Sequence, residues 1–252
     1  MQVFTLCTLR FKGLFSRSVL YMVLLSGIGI FATALLGGVV IGEIEEVVKD
    51  LGLKIISFIA VLFCVVSGAG ELQREIQEKS IYPIISKPTS RMEYIMGKAL
   101  GIFFAVSLLV VLLVFFLWIL LVFMGEGIGI PLLKVLILIV GEVLVVSAII
   151  TFFSTFSTPY LSAFLTLSIY IIGLFLNDFY TFGMKFGSII FQKLLLILYY
   201  VLPSLQCFHV TRRIVYNVEI GWYEVGLAII YGIAYASFLL MLASWFFRKR
   251  DL

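Results

Sequence analysis

Residues Ala99–Met124 read ALGIFFAVSLLVVLLVFFLWILLVFM, twenty-six positions with one hydroxyl, Ser107, and no charge. A helix crossing a hydrocarbon core of roughly 30 Å needs about 20 consecutive apolar residues. Inside lipid every backbone N–H and C=O must be paired within the segment itself, so a run of this kind is expected to be helical. Working outward, five more stretches have the same character: Val19–Ile41, Leu53–Ala69, Leu132–Phe156, Tyr160–Leu176 and Tyr223–Phe247. The sequence therefore predicts an all-α polytopic membrane protein with six transmembrane helices, forming one domain over residues 1–252. A shorter run, Ile189–Leu202, contains Gln192 and Lys193 and ends at Pro203. Its length suits a re-entrant or surface helix better than a span.

Composition agrees. The chain is 63% hydrophobic and 13% charged, against about 25% charged in soluble domains, which excludes a soluble globular class. A net charge of +4 is too small to suggest nucleic acid. Cys7, Cys64 and Cys207 are odd in number and have no metal-ligand spacing, and His209 is the sole histidine. Neither a disulfide framework nor a multi-histidine metal centre is expected. No intramembrane His/Asp/Ser set or carboxylate pair suggests catalysis, and no cofactor is implied. Arg10, Lys12 and Arg17 precede the first apolar run as in a signal peptide, but that run is too long and lacks a small-x-small cleavage site. It reads as a retained first span.

Charge placement sets the expected topology. With six spans, Arg10, Lys12, Arg17, Arg74, Lys79, Lys87, Arg91, Lys98, Arg248, Lys249 and Arg250 share one side. Lys49, Lys54, Lys134, Lys185, Lys193, Arg212 and Arg213 fall on the other, eleven against seven. The first loop on the poorer side, Gly42–Asp50, is acidic. The positive-inside rule then places both termini in the cytoplasm. Before the first span, Val3–Arg17 sets Thr5, Thr8, Lys12 and Ser16 opposite Phe4, Cys7, Phe11, Leu14 and Phe15. That pattern describes an interfacial helix, with a frayed basic tail as the alternative.

The most charged part of the chain is Glu71–Gly101, ELQREIQEKSIYPIISKPTSRMEYIMGKALG. Within it Ile81, Tyr82, Ile84 and Ile85 form an apolar knob bounded by Pro83 and Pro88. Pro88 disfavours helix at Lys87, and Thr89 or Ser90 can cap the next element. A solvated loop is the plain reading of such a charge run. An apolar knob rimmed by charge instead has the character of a protein–protein contact.

This segment resembles the one that comes after the second span in type-2 ABC exporter permeases, the ABC-2 family. Glu75, Ser80, Ile84, Ile85, Lys87, Pro88, Ser90, Arg91, Gly97 and Lys98 occupy the positions of that pattern. Ser80 stands where threonine is more usual, and Lys79 where glycine is. The ending SWFFRKRDL resembles the family's aromatic-basic-Asp close, and Leu202–Leu205 resembles its re-entrant region. Within the family, the wording EKSIYPIISKPTSR is similar to permeases of the nitrous-oxide-reductase maturation type. The resemblance implies a half-transporter in the cytoplasmic membrane with an elbow helix over residues 1–17, a coupling segment over 71–98 and an outer re-entrant segment over 177–222. It implies two copies of the permease, preferably as a homodimer, and two copies of a separate ATPase. The docking residues would be Glu75, Glu78, Lys79, Ser80, Ile81, Tyr82, Ile84, Ile85, Lys87, Pro88 and Arg91. A periplasmic or extracellular partner is also compatible. No G-x-x-x-x-G-K-[ST] phosphate loop occurs, so ATP chemistry of that type would belong to another polypeptide. The alternative function is a secondary transporter or standalone membrane protein with a regulatory loop.

Polar residues inside the spans complete the candidates. Ser57, Ala60, Cys64 and Gly68 recur at helical spacing in the second span, a small-residue face that permits close helix approach. Ser162, Thr166, Tyr170, Gly173 and Asn177 form a stripe on the fifth span, for helix packing or for a substrate path. In the ABC-2 family these two spans face the dimer interface. Glu142 lies about eleven residues into the fourth span, about 16 Å at ~1.5 Å per residue. A charge there costs about 2.5–3.5 kcal/mol on insertion scales, so it must face protein or water or be protonated. It is either a functional acid or a buried hydrogen-bonding one. Lys134, two turns away, is expected to snorkel to the surface.

Overall fold

The computed structural model describes residues 27, 29, 44–69, 91–123, 130–186, 189–209 and 221–248. The elbow segment Val3–Arg17, the coupling residues 71–90 and the tail 249–252 lie outside them. So does the first expected span, apart from Gly27 and Gly29, both helical. Among the described residues the protein is helical with no strand. Its elements are α1 (Ile44–Ala69), α2 (Arg91–Phe123), α3 (Ile130–Ser154), α4 (Pro159–Phe186), α5 (Ile189–Val201), a 3-10 turn (Leu205–Phe208) and α6 (Trp222–Arg248). Five of these, α1, α2, α3, α4 and α6, are long and apolar enough to cross a membrane, which makes this a membrane-embedded chain.

The helices track the apolar runs but outlast several of them. α1 begins at Ile44, so most of the acidic stretch expected as a loop is helical. α2 begins at Arg91 and runs unbroken to Phe123, so the element that comes after Thr89 and Ser90 is continuous with the apolar run from Ala99. α4 continues ten residues past Leu176, because Asn177–Lys185 lower the hydropathy without breaking the helix. Pro159 opens α4, where a missing N–H costs nothing.

α3 is the hub. It packs against α1, α2, α4, α6 and the 3-10 turn, and 72% of its span is buried. Two features of its sequence permit this. Apart from Lys134, Glu142 and its hydroxyl residues it is apolar all round, and it carries the small residues Gly141, Ser147 and Ala148 where neighbours must approach. α2 is as apolar but bulky on one side, and its Phe104, Phe115, Phe116, Trp118 and Phe123 remain exposed as a surface for lipid. Toward its C-terminal end α3 also carries hydroxyls, and each is satisfied locally. Ser147 Oγ donates to Leu144 O at 2.8 Å, Thr151 Oγ1 to Ser147 O at 2.6 Å and Ser154 Oγ to Thr151 O at 2.8 Å.

Contacts fix the directions. Ser57 meets Glu142 and Gly68 meets Ile150, so α1 and α3 run parallel. Gly141 meets Ile229 and Phe152 meets Phe246, so α6 is parallel to α3 as well. Only residues 155–158 join α3 to α4, which forces those packed neighbours antiparallel. Between α4 and α6 the chain therefore makes no net crossing. α5 is too short to span, with 13 residues, about 20 Å at ~1.5 Å each.

Beyond α5 the chain turns inward. Pro203 O approaches Gly173, the midpoint of α4, so closely that a Cβ there would sit 2.7 Å from it. Leu205 and Phe208 are buried to 0% and 2% exposure. The Phe208 ring is seated between Gly141 of α3 and Gly232 of α6, whose notional Cβ atoms would lie 2.8 and 3.1 Å from it. Two tyrosines of α6 anchor the entry: Ser204 N–H donates to Tyr231 Oη at 2.9 Å, and Tyr235 Oη donates to Val201 O at 3.2 Å. Non-helical backbone at this depth is tolerable only because it is enclosed by protein.

Gly173→Ala forces a methyl group against a backbone oxygen, which should cost about 1–3 kcal/mol and lower the melting temperature in detergent. Gly226→Ala, in a place where nothing lies within 4 Å, should be neutral or slightly stabilising. Equal melting temperatures for the two variants would contradict the seating of the turn.

Candidate functional site

Glu142 stands twelve residues from each end of α3 (142−130 and 154−142), about 18 Å from either at ~1.5 Å per residue. Its side chain is 1% exposed. Three elements besides α3 converge on this carboxyl. From α1, Ser57 Oγ donates to Glu142 Oε2 at 2.8 Å. From α4, Tyr170, itself 4% exposed, interacts with both Glu142 and Ser57. From the turn, His209 brings Nδ1 to 3.7 Å from Glu142 Oε1, and Cys207 lies close enough to feel the carboxyl's charge. The cluster thus joins two long helices to the hub and, through His209, to the re-entrant turn.

The two halves of the carboxyl are treated differently. Oε2 has its serine. Oε1 and His209 Nδ1 are both buried and neither has a hydrogen-bond partner, because 3.7 Å exceeds hydrogen-bond range. Buried charge in an apolar bundle persists only where partners compensate it. The geometry provides an acceptor aimed at an imidazole, with a phenol and a hydroxyl behind it. Chemically it can hold a proton, or accept hydrogen bonds from a polar group that reaches this depth. Among the described residues no group of three or more His, Cys, Asp or Glu could hold a metal ion.

The other expected site residues divide by helix contact and by position. Ser57, Cys64, Ser162 and Thr166 are all buried within the chain. Gly68 abuts Ile150 so tightly that its notional Cβ would lie 2.7 Å from that side chain. Ser162 Oγ sits 2.9 Å from Pro159 O and 3.3 Å from Ala69 O, at the C-terminal end of α1. Thr166 Oγ1 donates to Ser162 O at 2.8 Å. Asn177 is half-buried, and its carbonyl accepts from Thr181 Oγ1. Ser57, Glu142 and Tyr170 are thus brought together, while Cys64, Gly68, Ser162 and Thr166 lie along the helix contacts. Arg91 is the first residue of α2. Glu75, Glu78, Lys79, Ser80, Ile81, Tyr82, Ile84, Ile85, Lys87 and Pro88 lie outside the described residues. Lys134 places Nζ 5.1 Å from the Trp222 ring centroid, at the end of the bundle where α3 and α6 begin.

Sequence reasoning missed His209 as a partner of Glu142. The available signal was that the one acid deep in a span and the one histidine are the chain's obvious complementary pair. No protein-family model and no characterised protein matches the chain.

Glu142→Leu leaves the buried Ser57 hydroxyl without its acceptor and should cost about 1–3 kcal/mol, read as a lower melting temperature in detergent. Glu142→Gln keeps shape and an acceptor for Ser57, and should lose much less. If Leu were as stable as Gln, the carboxyl would not be the junction of these elements.

Proposed function

We propose that the chain is the membrane-spanning permease subunit of an ATP-driven exporter of the ABC-2 type, moving an unidentified substrate while a separate ATPase hydrolyses ATP. The observation that carries this reading is the segment Glu71–Arg91, whose apolar knob between charges resembles the ATPase-docking segment of that family. The geometry beyond it suits the role. α2 starts at Arg91 and continues as one helix to Phe123, packed on α1 and α3. A push delivered at its base would therefore reach the hub without an intervening hinge. On this reading the chain is non-catalytic and sits in the cytoplasmic membrane. Both termini and the 71–98 segment face the cytoplasm, and Val19–Ile41 supplies the sixth span. Two permease copies pair with two ATPase copies.

A second reading is favoured by one feature, the acid–imidazole pair at mid-bundle. Intramembrane ionisable pairs mark proton pathways in transporters, so a secondary transporter with a regulatory loop is the alternative.

The two readings separate on one experiment. Ile84→Asp/Ile85→Asp should abolish recovery of an ATPase with the tagged permease after gentle solubilisation, while membrane insertion is unchanged. An ATPase retained at wild-type yield would remove the docking assignment. The absence of any ATPase from wild-type preparations would favour the secondary transporter.

A further inference from the structure

Among the described residues, five buried side-chain polar atoms have no hydrogen-bond partner. Three of them, Glu142 Oε1, His209 Nδ1 and Gln206 Oε1, belong to the re-entrant turn or to the hub carboxyl that its tip approaches. Buried polar groups are nearly always paired, so such a concentration calls for a physical reason. The turn meets polar groups of the bundle at its two ends. Its polar links to the bundle are the Tyr231 and Tyr235 hydrogen bonds at its entry and the His209–Glu142 approach at its tip. Its remaining hold is packing: Leu205 and Phe208 are buried, and Pro203 O is seated against Gly173. In a membrane such packing is weakly decisive, because lipid tails solvate an aromatic ring almost as well as Leu and Val do. The polar contact at the tip therefore has a large say in whether the turn stays seated.

We propose that Glu142 and His209 are the latch of a movable plug. When the pair is together, the segment Leu202–His209 fills the space between α3, α4 and α6. When it separates, the segment withdraws toward the end where α4 finishes and α6 begins, and uncovers the Ser57–Glu142–Tyr170 cluster. The 3.7 Å approach is one short movement away from a hydrogen bond. Closing it needs a proton between the two groups, so that the imidazole donates to the carboxylate or the carboxylic acid donates to the imidazole. The unpaired polar atoms of the turn and of the carboxyl it approaches are what the seated arrangement leaves unsatisfied. The inference concerns the turn alone and holds whether or not an ATPase drives the protein.

The chain carries its own reporters. Cys207 sits in the turn, half-buried, with its thiol donating to Ser204 O at 3.0 Å, and Cys64 is fully buried in α1. In a Cys7→Ser background, reconstituted in liposomes, the labelling rates of Cys207 and Cys64 by N-ethylmaleimide are measured by mass spectrometry. Glu142→Gln and His209→Gln should each raise the Cys207 rate about tenfold, the effect of losing one charge-assisted contact. Cys64 should be unchanged, and the double variant should label no faster than the faster single variant. Unchanged Cys207 rates in both single variants would overturn the latch. So would a parallel rise at Cys64, which reports general loosening, or a double variant whose effect is the product of the two. If Glu142→Gln does not insert, His209→Gln and His209→Ala carry the test alone, since His209 lies outside the spans: a rise at Cys207 only supports the latch, and no rise refutes it.

Discussion

One carboxyl group in the middle of an apolar helix sets the conditions for the rest of this bundle. Glu142 cannot face hydrocarbon without a cost of about 2.5–3.5 kcal/mol, so α3 must be surrounded by protein on that side. The neighbours that surround it are those that can answer the carboxyl: α1 with Ser57, α4 with Tyr170, and the turn with His209. The small residues of the chain then let these elements close in. Gly68 admits Ile150, Gly173 admits the Pro203 carbonyl, and Gly141 with Gly232 admits the Phe208 ring. Polar demand chooses the neighbours, and missing side chains allow them to approach.

The same constraint explains the asymmetry between two strongly apolar helices. α2 and α3 are both strongly apolar, yet one exposes a row of bulky aromatics and the other is enclosed. The difference lies in what each side chain requires. Phe115 and Trp118 are content in lipid, whereas Glu142, Ser147 and Thr151 require protein or backbone partners. The re-entrant turn belongs to this logic too. It brings non-helical backbone to the depth of the carboxyl, and the only histidine of the chain arrives with it.

How much of this is legible in the sequence depends on the range of each interaction. The helix from Ile130 to Ser154 is expected at Leu132–Phe156, because an apolar run is a local property. The extra turns of α1 and α4 are not, since Glu45, Asp50, Asn177 and Asp178 look like loop by hydropathy but are compatible with a helix end. The inward orientation of Ser57, Ser162 and Thr166 is legible from their spacing, and so is the need of Glu142 for protein partners. Its histidine is not, because the pair is 67 residues apart in sequence (209−142) and only the folded path of the turn joins them. The expected coupling segment rests on a resemblance, and its geometry belongs to residues outside those described.

Because His209 is the only histidine, the junction can be observed directly. Magic-angle-spinning NMR of membrane-reconstituted protein, labelled with 15N-histidine and 13C-glutamate, reports the dipolar coupling between the single imidazole and the nearest glutamate carboxyl. A 3.7 Å Nδ1–Oε1 approach predicts strong 15N–13C dephasing that disappears in Glu142→Gln. An imidazole with no carboxyl coupling, or a coupling that survives that substitution, would contradict the carboxyl-centred account of this bundle.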